Sequence, residues 1–140
     1  MNLYLDANVL VALLTPDALA DRSRGFVARV GASLTVSDFA AAEYASVVSR
    51  RVRAGALSRA AGSAALGAFD SWLASNARWV TVEPADIAAA TGFLRRLDLT
   101  LLSPDAIHIA VARRLGARLV TLDRRMAVMA GALGVAVAEP

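Results

Sequence analysis

The sequence predicts an α/β fold built on a central, mostly parallel sheet of about five strands, and three observations predict it. Short β-branched or Leu-rich runs alternate with longer Ala-rich stretches, the order expected when each strand is followed by a crossover helix. With 140 residues, 57% of them hydrophobic, the chain is long enough to bury one core and too short for two ordinary domains, so residues 1–140 are read as one domain. No internal repeat, low-complexity tail or Pro/Gly/Ser-rich linker interrupts the pattern.

Taken in order, the strands are read at residues 3–5, 34–36, 79–82, 118–122 and 135–137, each a short apolar run of the kind that periodicity alone does not separate from buried helix. Ser37 or Asp38 caps a helix reaching about Arg53, Gly55 separates it from the next, and Ser58 caps a second helix running toward Asn76. Glu83 and Pro84 start a further helix that ends near Leu97. Ser103 followed by Pro104 resembles an N-cap with proline in the first turn, and Gly116 stops that helix.

Charge and cysteine content narrow the chemistry. The absence of cysteine excludes a disulfide framework and thiolate catalysis, and fits a reducing cytosol. The apolar start "MNLYLDANVLVALL" has no cationic leader and is interrupted by Asp6 and Asn8 well short of a membrane span, so a cytoplasmic protein without membrane attachment is expected. All 15 basic residues are arginine, against 12 acids and a net charge of +3. Withdrawing acids into a metal site would leave a more positive surface suited to a polyanion, although arginine in place of lysine is equally an effect of codon composition.

Four acids stand out because each lies at an expected chain turn or inside an apolar segment. Asp6 follows "NLYL", Glu43 interrupts "SDFAAAEYASVV", Asp105 opens "SPDAIHIAVARRL" and Asp123 closes "RLVTLD". Ligands in open parallel sheets gather beyond the carboxyl ends of the strands, where Asp6 and Asp123 fall. Asp105 would lie in the first turn of its helix, where free amides and the macrodipole favour an anion whether or not it has another role. Two carboxylates about 4 Å apart repel by roughly 4 kcal/mol at an effective dielectric near 20, so a cluster of four requires protons or cations. Oxygen-only donors favour Mg²⁺, with Mn²⁺ as a substitute, over zinc.

The ordered set "LYLDANVL", "AAEYASVV", "LLSPDAIHIAVA" and "LVTLD" resembles the PIN-domain family and, more narrowly, the toxin ribonucleases of VapBC-type toxin–antitoxin systems, over essentially the whole chain. The resemblance implies a three-layer α/β/α sandwich with the first and fourth strands adjacent, and a metal-dependent nuclease site carried here by Asp6, Glu43, Asp105 and Asp123. It further implies cleavage of RNA, of transfer or ribosomal class, a homodimer, and neutralisation by a small VapB-like antitoxin. Asp6 and Asp105 would be the foremost ligands, Glu43 a ligand or orienter of the attacking water, and Asp123 the support for a second ion.

Other residues carry two readings each. Asn8 can fix a carboxylate or cap a helix, and Thr121 can fix one or serve as a strand residue. His108, one helical turn after Asp105, can face the same crevice or be a partly buried or partner-facing ring. Arg50, Arg51 and Arg53 and the pairs Arg95/Arg96, Arg113/Arg114 and Arg124/Arg125 can bind phosphate or form ordinary salt bridges, Arg124 and Arg125 being best placed beside Asp123. Tyr44, Phe69, Trp72 and Trp79 suit core or dimer packing better than base stacking. The Ala-rich helices between Phe39 and Leu73 offer a partner-facing surface or ordinary core.

Other functions compete for the same residues. Receiver domains and haloacid-dehalogenase-like phosphatases also place an Asp after a first strand, but they typically neutralise phosphate with Lys, and this chain has none. A non-toxin PIN nuclease in RNA processing and a catalytically silent binding module are the remaining alternatives, the latter opposed by the presence of all four acids.

Overall fold

The computed structural model describes residues 1–140. Its elements run β1 (Asn2–Leu5), α1 (Ala7–Leu14), α2 (Ala20–Val30), β2 (Ser33–Ser37), α3 (Asp38–Arg53), α4 (Arg59–Asn76), β3 (Ala77–Val80), α5 (Pro84–Leu94), α6 (Ser103–Arg114), β4 (Arg118–Val120), α7 (Arg124–Ala132) and β5 (Val137–Ala138). The five strands form one sheet in the order β3-β2-β1-β4-β5, and every pairing is parallel.

β1 explains the layering. It is flanked by strands on both sides and covered on both faces, so Leu3, Tyr4 and Leu5 are all fully buried, as expected of a central parallel strand. Side chains alternate along it: Leu3 and Leu5 join Val9, Leu10, Tyr44 and Phe69 in one core, whereas Tyr4 joins Phe93, Ile109, Leu119 and Met126 in the other. α1, α3 and α4 therefore cover one face and α5, α6 and α7 the opposite one, giving the α/β/α sandwich. Each Leu or Phe withdrawn from water in these cores stabilises the fold by about 1.5–3 kcal/mol. Small residues set the spacing. A Cβ on Gly62 would stand 2.5 Å from Val52 Cγ2, so α4 reaches its place on α3 only with glycine there.

Several predicted boundaries shift, for local reasons. β3 covers 77–80 rather than 79–82, because its partner β2 turns into α3 after Ser37; the Val82 N–H donates instead to Asp38 Oδ1 at 2.9 Å. β4 stops at Val120 rather than 122, since Thr121 turns its hydroxyl to a carboxylate. The last strand is Val137–Ala138 rather than 135–137, as the Val135 N–H closes the end of α7 on Ala130 O. α5 ends at Leu94, not Leu97, whose φ of +65° is incompatible with a continuing helix. Ser103 is the first residue of α6 and not its N-cap, a position held by Leu102 without a side-chain bond. Ser37 and Ser58 do cap α3 and α4, accepting from Ala40 N and Ala61 N at 3.0 Å each. Gly116, at φ +58°, supplies the left-handed residue after α6.

No helix is long and apolar enough to cross a membrane. Trp79, read as a packing residue, is 47% exposed because β3 is an edge strand, whereas Tyr44 and Phe69 stack at 5.0 Å within the core. A groove of about 560 Å³ opens beside Trp79, lined by Ala41, Ala45, Leu66 and Leu73 of α3 and α4.

Candidate metal centre

The reversal of strand order lies between β1 and β4, and the chain leaves both strands at the same edge. Asp6 follows β1, and its N–H bonds Val120 O at 3.1 Å, which ties the two strand ends together. Asp6 caps α1, with Oδ1 accepting the Val9 N–H at 3.0 Å. The cap of this helix is thus Asp6 itself; Asn8 lies one residue inside the helix, exposed.

Thr121 connects two of the acids. Its hydroxyl donates to Asp6 Oδ2 at 2.6 Å and accepts the Asp123 N–H at 3.0 Å. Both Asp6 and Thr121 are only 1% exposed. Asp123 in turn caps α7, Oδ1 accepting from Arg125 N and Met126 N at 2.9 and 3.2 Å.

Glu43 extends from α3 and Asp105 from the first turn of α6, both half-buried. Glu43 Oε1 is bound to His108 Nε2, while His108 Nδ1 pairs with the Tyr4 hydroxyl at 2.7 Å and that hydroxyl with Ser37 Oγ at 2.7 Å. Sequence reasoning singled out His108 without joining it to Glu43, and it missed Tyr4 and Ser37. The available signal was the three-residue spacing from Asp105, which places both side chains on one face of α6.

Electrostatics link the acids in pairs. Burial raises the Asp6 carboxyl above the ordinary carboxylate range, against the lowering effects of Thr121, His108 and the Val9 N–H, and nearby Glu43 adds to the rise. Asp105 is raised chiefly by burial, and further by Asp123, with Arg125 and His108 acting in opposition. His108 is thus within electrostatic reach of both Asp6 and Asp105. No three acidic or imidazole side chains close on a single ion position in this arrangement. The donor set nevertheless fits a hard cation in its chemistry: the donors on offer are carboxylate oxygens, both ring nitrogens of the one histidine are engaged, and burial raises two of the acids, an effect that added positive charge would oppose.

The arginines divide. Arg114 is structural: its guanidinium grips buried Asp86 at 2.8 and 2.9 Å and also bonds Thr81 O and Glu83. Arg96 pairs with Asp98, and Arg53 bonds Ser49. Arg124 and Arg125 are exposed in the first turn of α7. Arg50 and Arg51 border a groove of about 350 Å³ whose other walls include Asn8 and Asp123; Arg51 is partly engaged there by Thr15 at 3.0 Å.

The architecture has close parallels among solved structures. VapC20 of Mycobacterium tuberculosis, described as a toxin cleaving the sarcin–ricin loop, is 21% identical with a TM-score of 0.77, and 99% of each chain is covered. VapBC2 from Rickettsia felis, solved bound to a promoter DNA fragment, is 15% identical with a TM-score of 0.72, covering 99% of this chain and 98% of the other. VapBC-1 from nontypeable Haemophilus influenzae is 14% identical, with the same TM-score of 0.72 and 99% and 98% coverage. These likenesses are of fold. No curated protein matches the sequence. A PIN domain profile, however, matches residues 3–132, a span that contains all five elements of the proposed centre from Asp6 through Glu43, Asp105 and Thr121 to Asp123, and the chain accordingly belongs to the PIN domain family.

Proposed function

We propose that this protein is a metal-dependent endoribonuclease, the toxin of a type II toxin–antitoxin pair, that hydrolyses phosphodiester bonds in transfer or ribosomal RNA and is neutralised by a VapB-like antitoxin. The observation that supports the reading is the joining of Asp6 to Asp123 through the Thr121 hydroxyl at the carboxyl edge of β1 and β4 in a PIN fold, with Asp6 buried and its carboxyl raised. Asp6, Glu43, Asp105 and Asp123 would hold Mg²⁺ or Mn²⁺ at this edge. When bound, the ion supplies positive charge to the phosphate and makes water a better nucleophile near neutral pH.

The chain's own residues do the positioning. Thr121 donates to Asp6 and keeps one carboxylate oxygen oriented. Asp123 is held by the first amides of α7, which fix its direction relative to Asp6 through the shared hydroxyl. Arg124 and Arg125, exposed beside Asp123, offer planar donor forks to the flanking phosphates. In the hydrolysis a water oxygen bonds to phosphorus as the P–O ester bond breaks, and the departing oxygen takes up a proton.

The exposed apolar groove beside Trp79 supports a protein partner on the α3 and α4 face, and the likeness to solved toxin–antitoxin complexes supports an antitoxin as that partner. A homodimer and a cytoplasmic location complete the reading. The test is cleavage of total and transfer RNA by antitoxin-free protein with Mg²⁺, Mn²⁺ or EDTA, with Asp6→Asn as control. Discrete cuts that require metal and vanish in the variant are expected. Absence of cleavage with either metal would overturn the assignment.

A further inference from the structure

The buried chain from Ser37 through Tyr4 and His108 to Glu43 has a direction that can be worked out from its hydrogen atoms. Ser37 Oγ has two partners, the Ala40 N–H, which it accepts, and the Tyr4 hydroxyl. Ser37 and Tyr4 are fully buried and His108 is 2% exposed, so an unpartnered hydroxyl hydrogen here has no water to turn to. If His108 donates Nε2–H to the Glu43 carboxylate, Nδ1 accepts the Tyr4 O–H and the Tyr4 oxygen accepts the Ser37 O–H. Every polar hydrogen then has an acceptor. Running the chain the other way, with Nδ1–H donating to Tyr4 and Tyr4 to Ser37, leaves the Ser37 hydrogen with none. Packing fixes the ring as well: Phe39 lies 5.1 Å and Tyr4 5.7 Å from the imidazole, centroid to centroid.

We propose that His108 is the positioning residue of Glu43: its imidazole, locked by the Tyr4 and Ser37 hydroxyls as the Nε2–H tautomer, holds Glu43 Oε1 and thereby leaves Oε2 as the oxygen offered to the cation. The role rests on the metal-centre reading above, whereas the tautomer rests on the hydrogen-bond chain alone. It inverts the familiar arrangement in which a carboxylate orients a metal-binding histidine. Here the histidine stays off the metal and orients the carboxylate.

Because His108 is the only histidine, the imidazole region of a ¹H–¹⁵N correlation spectrum reports this residue without assignment. The wild-type, metal-free protein is expected to show a protonated Nε2 and an unprotonated Nδ1. A protonated Nδ1, or two tautomers in exchange, would overturn the relay. Tyr4→Phe removes the donor to Nδ1 and should shift the Nδ1 resonance toward that of an unbonded ring nitrogen while Nε2, still facing Glu43, stays protonated; an unchanged Nδ1 resonance would also overturn it.

Mn²⁺ titration then tests the role. His108→Leu should weaken Mn²⁺ binding by about 10- to 100-fold, the usual consequence of losing a partner of a metal ligand, and His108→Gln, which keeps a donor toward Glu43, should recover most of that loss. A role in packing alone would make Leu and Gln equally harmful or equally harmless, and either result would refute positioning. Should both substitutions unfold the protein, Tyr4→Phe takes their place, with a smaller loss of Mn²⁺ affinity expected and refutation if affinity is unchanged. Wild-type protein that neither binds Mn²⁺ nor cleaves RNA would overturn the metal centre and this role with it, and the imidazole spectrum would still judge the relay.

Discussion

Replacing Thr121 by valine keeps the volume of a 1% exposed side chain and removes only its hydroxyl. Two bonds are lost. The 2.6 Å bond to Asp6 Oδ2 is charge-assisted when Asp6 is ionised and worth about 1.5–3 kcal/mol, and the 3.0 Å bond from Asp123 N is a neutral one worth about 1 kcal/mol. Together they contribute about 2.5–4 kcal/mol. At roughly 2.1 cal/mol/K per residue, a chain of 140 residues has an unfolding entropy near 0.3 kcal/mol/K, so Tm should fall by about 10 °C. Mn²⁺ affinity should drop by about 10- to 100-fold, since Asp6 loses the donor that aims it. Urea denaturation followed by circular dichroism gives the first quantity and Mn²⁺ titration the second. Thr121→Ser, which retains the hydroxyl and loses one methyl, should cost about 1 kcal/mol and leave the affinity near wild type. If valine alters stability by less than about 0.5 kcal/mol and leaves Mn²⁺ binding unchanged, the hydroxyl does not connect the two acids and the reasoning fails.

Three further outcomes are expected. The raised Asp6 carboxyl makes the metal-free native state hold its proton more tightly than the unfolded chain, so this group's contribution is fully present below the ordinary carboxylate range near pH 4 and is lost as pH rises through the folded value. Tm of metal-free Asp6→Asn relative to wild type should therefore rise as pH is raised from about 4, and Mg²⁺ should stabilise wild type alone; a pH-independent gap would contradict the assigned burial. Arg114→Met strips buried Asp86 of its fork and should destabilise by about 3 kcal/mol in chemical denaturation, with Asp86→Asn recovering part of the loss in the double variant. Gly62→Ala gains about 1 kcal/mol of helix propensity but forces α4 away from Val52, at a cost of about 1–3 kcal/mol, so thermal melts should show a net loss.

What the sequence reveals here depends on how local the cause is. Asp6 and Asp123 are legible because a lone charge directly after an apolar run marks a strand end, and the serines that cap α3 and α4 follow from cap chemistry alone. The four acids were ordered into a site by their resemblance to a family; their spacing by itself left the strand order open. α1, α2 and α7 are not evident as helices in the sequence: α1 and α7 start on caps, Asp6 and Asp123, whose carboxylates suit a metal equally well, and α2 carries its polar face within a short, mixed segment. The connectors were hidden by distance along the chain. Tyr4 looks like a strand hydrophobe until it meets a ring 104 residues away, and Thr121 like a β-branched strand residue until it meets Asp6, 115 residues away.

The central place of β1 also bears on how the sheet is completed. That strand occupies the middle of the sheet, and its β4 side stays unpaired until residues 118–120, far along the chain, are in place. The proposed centre draws on positions 6, 43, 105 and 123, so it depends on the same long-range pairing. Closing that long loop is slow compared with local helix formation. The proposed site is thus completed by the slowest contact of the sheet, and folding intermediates that lack the β1–β4 pairing would lack the site too.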